Sequence, residues 1–156
     1  MAADPPGSGF DTPELEEFLL PYPAEIQKLA LEARLRLHEI AGPASDLIYD
    51  ATTAVCAGLG YTDNPRDCFV NIAIYSDHVT LIFAWGVRLV DPESRLKGGG
   101  KQVRHIRLSG IETLHDPYVV GLIDQAAATA VRPAGAVKPI KNVKVYNGPK
   151  RRPRRA

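Results

Sequence analysis

The stretch 68-CFVNIAIYSDHVTLIFAW-85 decides how the rest of the chain is read. Val70, Ile72 and Ile74 alternate with Phe69, Asn71, Ala73 and Tyr75, the period-two pattern of a half-buried strand. HVTLIFAW resumes after only Ser76 and Asp77, so the two runs are expected to pair as a β-hairpin. Upstream, LIYDATTAVCAG (residues 47–58) is rich in strand-forming residues and reads as one extended segment ending at a turn over Gly58–Gly60. Downstream, QVRHIRL (residues 102–108) makes a fourth strand, entered through three consecutive glycines.

Helices bracket this run. Thr12 is placed to cap a short helix, with Pro13 at its first position and Glu14, Glu16 and Glu17 in its first turns, where the dipole favours negative charge. Pro21 and Pro23 break it and start another. From Ala24, the residues Ile26, Leu29, Ala33, Leu37 and Ile40 recur at helical spacing until Gly42 and Pro43. His38 on that helix reads as a surface residue. Asp116 and Pro117 open a last helix with the stripe Val119, Leu122, Ile123, Ala126, Ala127 and Ala130. The expected fold is α+β: a mostly antiparallel sheet of four to five strands, with N-terminal and C-terminal helices packed on it. Residues 1–11 are expected to be a disordered lead, 12–131 the folded domain, and 132–156 a basic, disordered tail.

Composition sets the class. With 156 residues, 45% apolar and 24% charged, the chain is the size and make-up of one globular domain. The opening MAADPPGSGF lacks a signal peptide's basic start and apolar run, and no apolar stretch reaches the roughly 20 residues of a membrane helix. Cys56 and Cys68 fit no CxxC pattern, so a cytoplasmic protein with reduced, buried thiols and no membrane partner is expected. The net charge of +1 conceals a division: eight of the 19 basic residues lie in 138–156, which has no acid, leaving 11 against 18 acids elsewhere. The body therefore carries −7 and the tail +8.

DLIYDATTAVCAGLGYTDNPRDCFVNIAIYSDHVTLIF, followed by LKGGGKQVRHIRL, resembles the YdhG-like family of domains of unknown function. Tyr49, Asp50 and Ala51, then Pro65 and Asp67, then Leu96 through Leu108 carry the likeness, which covers roughly residues 22 to 130. The resemblance implies a small cytoplasmic α+β domain without an agreed reaction. Part of the family carries a frataxin-like iron-chaperone label, which implies a metal-binding alternative.

Three candidate sites follow from the residues. Gly98, Gly99 and Gly100 can turn backbone N–H groups into one concavity, with Lys101 supplying charge and Arg104 a fork for a small anionic ligand. It is not a P-loop, because Arg95 stands where the first glycine belongs and Gln102 where the Ser/Thr belongs. Strand parity puts Gln102 and Arg104 with Ile106 and Leu108, and Lys101, Val103, His105 and Arg107 opposite. An arginine on the apolar side needs a partner, and Asp50 is the expected one, either as a structural ion pair or within a polar pocket of Tyr49, Asp50, Lys101 and Arg104. The second candidate is the acidic ladder Glu25, Glu32 and Glu39, which shares one helix face and offers hard oxygen ligands to a metal. The third is the tail, where Lys150, Arg151, Arg152, Arg154 and Arg155 offer salt-sensitive contact to nucleic acid. No catalytic motif is present, so an enzyme is not expected, and no cofactor is called for.

Overall fold

The computed structural model describes residues 11–149 and Pro153. Three helices, α1 (Pro13–Leu19), α2 (Ala24–Ala41) and α3 (Pro117–Thr129), accompany six strands: β1 (Ser45–Asp50), β2 (Val55–Gly60), β3 (Val70–Ile74), β4 (Val79–Phe83), β5 (Arg104–Arg107) and β6 (Lys141–Val145). The strands form one sheet in the order β5-β4-β3-β2-β1-β6. Every neighbouring pair is antiparallel except β1 and β6, which run parallel.

The hairpin at 68–85 forms as read, closed by the Tyr75 N–H donating to the His78 carbonyl at 2.9 Å. Alternation then propagates across the sheet through register. Ile48, Ala57, Ile72, Leu81 and Ile106 stand side by side on one face, each buried. The helices cover this face with Leu15 and Leu19 of α1, Ile26, Ala30, Ala33 and Leu37 of α2, and Val119, Leu122 and Ile123 of α3. Gly42, at φ +75°, ends α2 in a conformation that favours glycine. Asp116 caps α3 by accepting from the Tyr118 N–H.

Two expectations about the sheet need correction. The segment 47–58 is not one strand but two: β1 and β2 fold back through Ala51–Ala54, where the Ala51 N–H donates to the Ala54 carbonyl. The tail expected to be disordered from residue 132 contains β6. That strand is held by the Ile140 N–H on Ser45 Oγ, by the Asp46 N–H on the Ile140 carbonyl, and by Lys141 Nζ on Glu14 of α1 at 2.8 Å. The sheet therefore has six strands rather than four to five.

His38 also departs from its expected place. It is wholly buried on α2, and its Nε2 donates to Asp46 Oδ1 at 2.8 Å. Arg34, one turn earlier on the same face, forks onto both Asp46 oxygens, Nε to Oδ1 at 3.1 Å and Nη2 to Oδ2 at 2.8 Å. Burial alone would push the Asp46 pKa up. The hydrogen bonds from His38 and Arg34, with their charges, outweigh it and hold the carboxyl below its ordinary value. This triad, with Asp46 1% and Arg34 3% exposed, pins the middle of α2 to β1.

Candidate anion-binding face

The glycine loop, the Tyr49–Asp50 pair and the acidic ladder of α2 lie apart from one another, and the sheet offers a further surface that the sequence reading missed. Arg104 and Asp50 do not pair: Arg104 lies on β5 and Asp50 on β1, with β4, β3 and β2 between them. Four strand spacings amount to about 19 Å, so Tyr49 and Asp50 cannot share a pocket with Lys101 and Arg104. Parity did place Arg104 correctly, opposite Phe83 on the helix side, but the strand edge lets its guanidinium swing outward. Nη1 donates to the Gly100 and Val103 carbonyls, each at 2.7 Å.

The glycine loop is thus closed over an arginine by its own carbonyl oxygens. Lys97 and His105 exchange both backbone hydrogen bonds at 2.9 Å, which makes 98–104 the loop of a small hairpin. Gly98 sits at φ +123°, a region open essentially to glycine, whereas Gly99 and Gly100 have free space around them. Its base is held firmly. Asp91 accepts from the Arg95 and Leu96 N–H groups and from the Tyr118 hydroxyl, while Arg95 Nη1 donates to Asp116 at 2.9 Å. Lys97 and Lys101 are exposed on this rigid base.

Glu25, Glu32 and Glu39 lie along α2 at seven-residue spacing, about 10.5 Å apart. Glu32 faces Lys28 at 3.8 Å and Glu39 faces Arg36 at 3.3 Å. Among the described residues, no three His, Cys, Asp or Glu side chains come close enough to hold a metal ion. Lys150, Arg151, Arg152, Arg154 and Arg155 lie outside the described residues.

Two open clefts of about 450 Å³ each lie elsewhere, one beside Asp11, Thr12, Glu16 and Arg34, the other between Tyr61–Asp63 and Pro133–Ile140. Neither contains Tyr49, Asp50, Lys101 or Arg104. Arg34 is already committed to Asp46.

The surface not foreseen is the sheet's outer face, opposite the helices. Register aligns two rows across it. One runs Asn142, Leu47, Gly58, Asn71, Ile82, His105 and then Lys97; the other runs Lys144, Tyr49, Cys56, Ala73, Thr80 and Arg107. Among the described residues, no outward strand position holds a carboxylate; His105, Lys97 and Arg107 close both rows at the β5 margin, and Lys144 beside Asn142 closes them at the β6 margin. Lys144 Nζ stands 5.5 Å from the Tyr49 ring centroid. Acids stand near its ends: Asp77, in the β3–β4 turn, is hydrogen-bonded to His78 and feels the charge of Arg107, both of which lower its pKa, and the carbonyl of Asp63, between β2 and β3, accepts from Asn142 Nδ2 at 3.4 Å. Acids cluster instead on the helix layer, at Glu14, Glu16, Glu17, Glu25, Glu32, Glu39 and Asp124. The parity of His105 and Arg107 was legible in the sequence; Lys144 was not, because it lay in the segment taken for tail.

The thiols also belong to this face. The Cys68 sulfur lies so near Gly58 that a Cβ there would meet it at 2.5 Å. Burial pushes both thiols up to about 11. No helix among the described residues is long and apolar enough to cross a membrane. Comparison with protein-family profiles, curated proteins and solved structures finds no match to the chain.

Proposed function

We propose that this protein binds nucleic acid through the basic margins of its open sheet face. What supports the reading is the charge layout: among the described residues the outward strand positions hold no carboxylate, with Lys97, His105 and Arg107 at one margin and Lys144 at the other. The chain leaves β6 at the Lys144 margin and continues directly into Lys150–Arg155. The glycine loop lies at the β5 margin and β6 at the opposite one. The loop contributes Lys97 and Lys101 as exposed cations.

Lys97, Arg107, Lys144 and the five tail cations make eight potential phosphate contacts. Their full engagement gives a slope of log K against log salt of about −6 to −7. The test is the salt dependence of anisotropy with a fluorescent oligonucleotide. Changing the five tail cations to serine in the full-length chain is expected to flatten the slope by about 3 to 4. R107E with K144E should flatten it further. A slope indifferent to both sets of substitutions would remove the reading.

A further inference from the structure

We infer that the ligand of this face is a single strand, laid flat across the sheet with its bases on the strands and its phosphates at the margins. The inference rests on the nucleic-acid reading above and adds a substrate class that the cations alone cannot specify, since phosphate contacts do not distinguish a duplex from a single strand.

The floor decides between them. Its centre is lined by small side chains, Gly58, Ala73 and Cys56, with Ala73 and Thr80 already buried by their neighbours. Larger groups rise on either side: Leu47 and Tyr49 toward β6, Ile82 toward β5, all partly exposed. The result is a weakly polar surface between Lys144 at one margin and Lys97, His105 and Arg107 at the other. A duplex keeps its bases stacked inside and would bring phosphates to both rim and floor, leaving Leu47, Tyr49 and Ile82 against charge. A single strand exposes base faces, which pack on aromatic and apolar side chains of a sheet surface. Asn71 and Asn142 add amide donors and acceptors along one row.

Size agrees as well. Lys144 and Arg107 are separated by five strand spacings, about 24 Å, room for a few nucleotides. A four-stranded RNA-binding sheet accommodates two or three stacked bases. Tyr49 is the side chain that marks the path, because its ring lies on the floor beside the rim cation Lys144. A second copy of this chain is the competing occupant of any open sheet. Two such faces would oppose Lys97, Arg107 and Lys144 with their own like charges, which disfavours it.

The experiment uses the full-length protein with fluorescein-labelled oligo-dT of 4, 8, 12 and 16 nucleotides and a 16-base-pair duplex, read by anisotropy at low and moderate salt. Oligo-dT of 16 nucleotides is expected to bind at least about tenfold more tightly than the duplex. Y49A should weaken oligo-dT binding by roughly 5- to 100-fold while leaving duplex binding unchanged, and Y49F should retain wild-type affinity. Circular dichroism melting of Y49A confirms that it is folded. Equal affinity for duplex and single strand, indifferent to Y49A, overturns this inference and leaves the broader nucleic-acid reading standing. No binding to either probe at low salt overturns both. A concentration-dependent dimer in sedimentation that Y49A dissociates assigns the face to a second copy and overturns the single-strand platform.

Discussion

Replacing Asp46 by Asn tests the physical centre of the fold. Asp46 is 1% exposed and takes three hydrogen bonds, two from Arg34 and one from His38, both themselves buried. D46N keeps the shape and removes the carboxylate charge that faces the buried Arg34 guanidinium. Breaking a buried pair this way costs about 3 to 5 kcal/mol. For a chain of this size each kcal/mol moves the melting temperature by about 2 to 4 °C, so a fall of roughly 6 to 20 °C is expected. Removing both charges in R34M/D46L should recover part of it, because no buried charge is then stranded. The pH dependence carries a definite sign. The folded pKa of Asp46 is depressed, so its stabilisation is fully present above the unfolded value of about 3.9 and is lost as pH falls through the folded value. Thermal melts followed by circular dichroism between pH 7 and pH 2 should therefore show wild type losing more on acidification than D46N. A D46N protein melting within about 2 °C of wild type at pH 7 would refute the coupling of α2 to β1 through this triad.

Other expectations follow from single contacts. G98A should cost about 1 to 3 kcal/mol in chemical denaturation because of the positive φ, while G99A and G100A stay within about 0.5 kcal/mol of wild type. G58A drives a methyl into Cys68 Sγ at 2.5 Å and Asn71 Cβ at 2.9 Å, and should cost about 1 to 3 kcal/mol, with part recovered in G58A/C68A. With both thiols raised to about 11, roughly 0.1% of each is thiolate at pH 8. Ellman's reagent should therefore react slowly with native protein and promptly once the chain is unfolded; fast native reaction would contradict the burial. K141A should lower stability by about 1 kcal/mol or less, because the Lys141–Glu14 pair is partly solvated.

Some of this was legible in the sequence for clear physical reasons. The central hairpin announced itself through strict alternation and a tight turn, and the helices through proline placement and apolar spacing; of the expected caps Asp116 makes its bond, whereas Thr12 makes no side-chain cap to α1. The β1–β2 turn stayed hidden because Ala51–Ala54 contains neither glycine nor proline, so the signals that mark turns were missing. β6 was hidden because KNVKV sits in a basic segment whose only recommendation as a strand is alternation over five residues. Arg34 and His38 escaped because charge alone suggested solvent, yet both continue the i, i+4 ladder from buried Ala30. Asp50 was offered to Arg104 on sound grounds of charge economy, but strand order, which depends on the whole chain, separated them. Asp46, four residues nearer α2 on the same side of β1, is the acid that the buried Arg34 reaches.

The parallel strand β6 has a consequence for how the chain must be made. It pairs with β1, whose residues leave the ribosome 95 residues earlier, so until the C-terminal segment arrives β1 is the bare edge of a five-stranded sheet. During that interval the Asp46 N–H has no carbonyl from Ile140, and Leu47 and Tyr49 flank an open backbone edge that another nascent chain can invade. A chain ended at Val137 is frozen in that condition, and its expected fate is intermolecular strand pairing and precipitation. β6 therefore serves as the selvedge of the sheet, finishing an edge that would otherwise unravel into its neighbours.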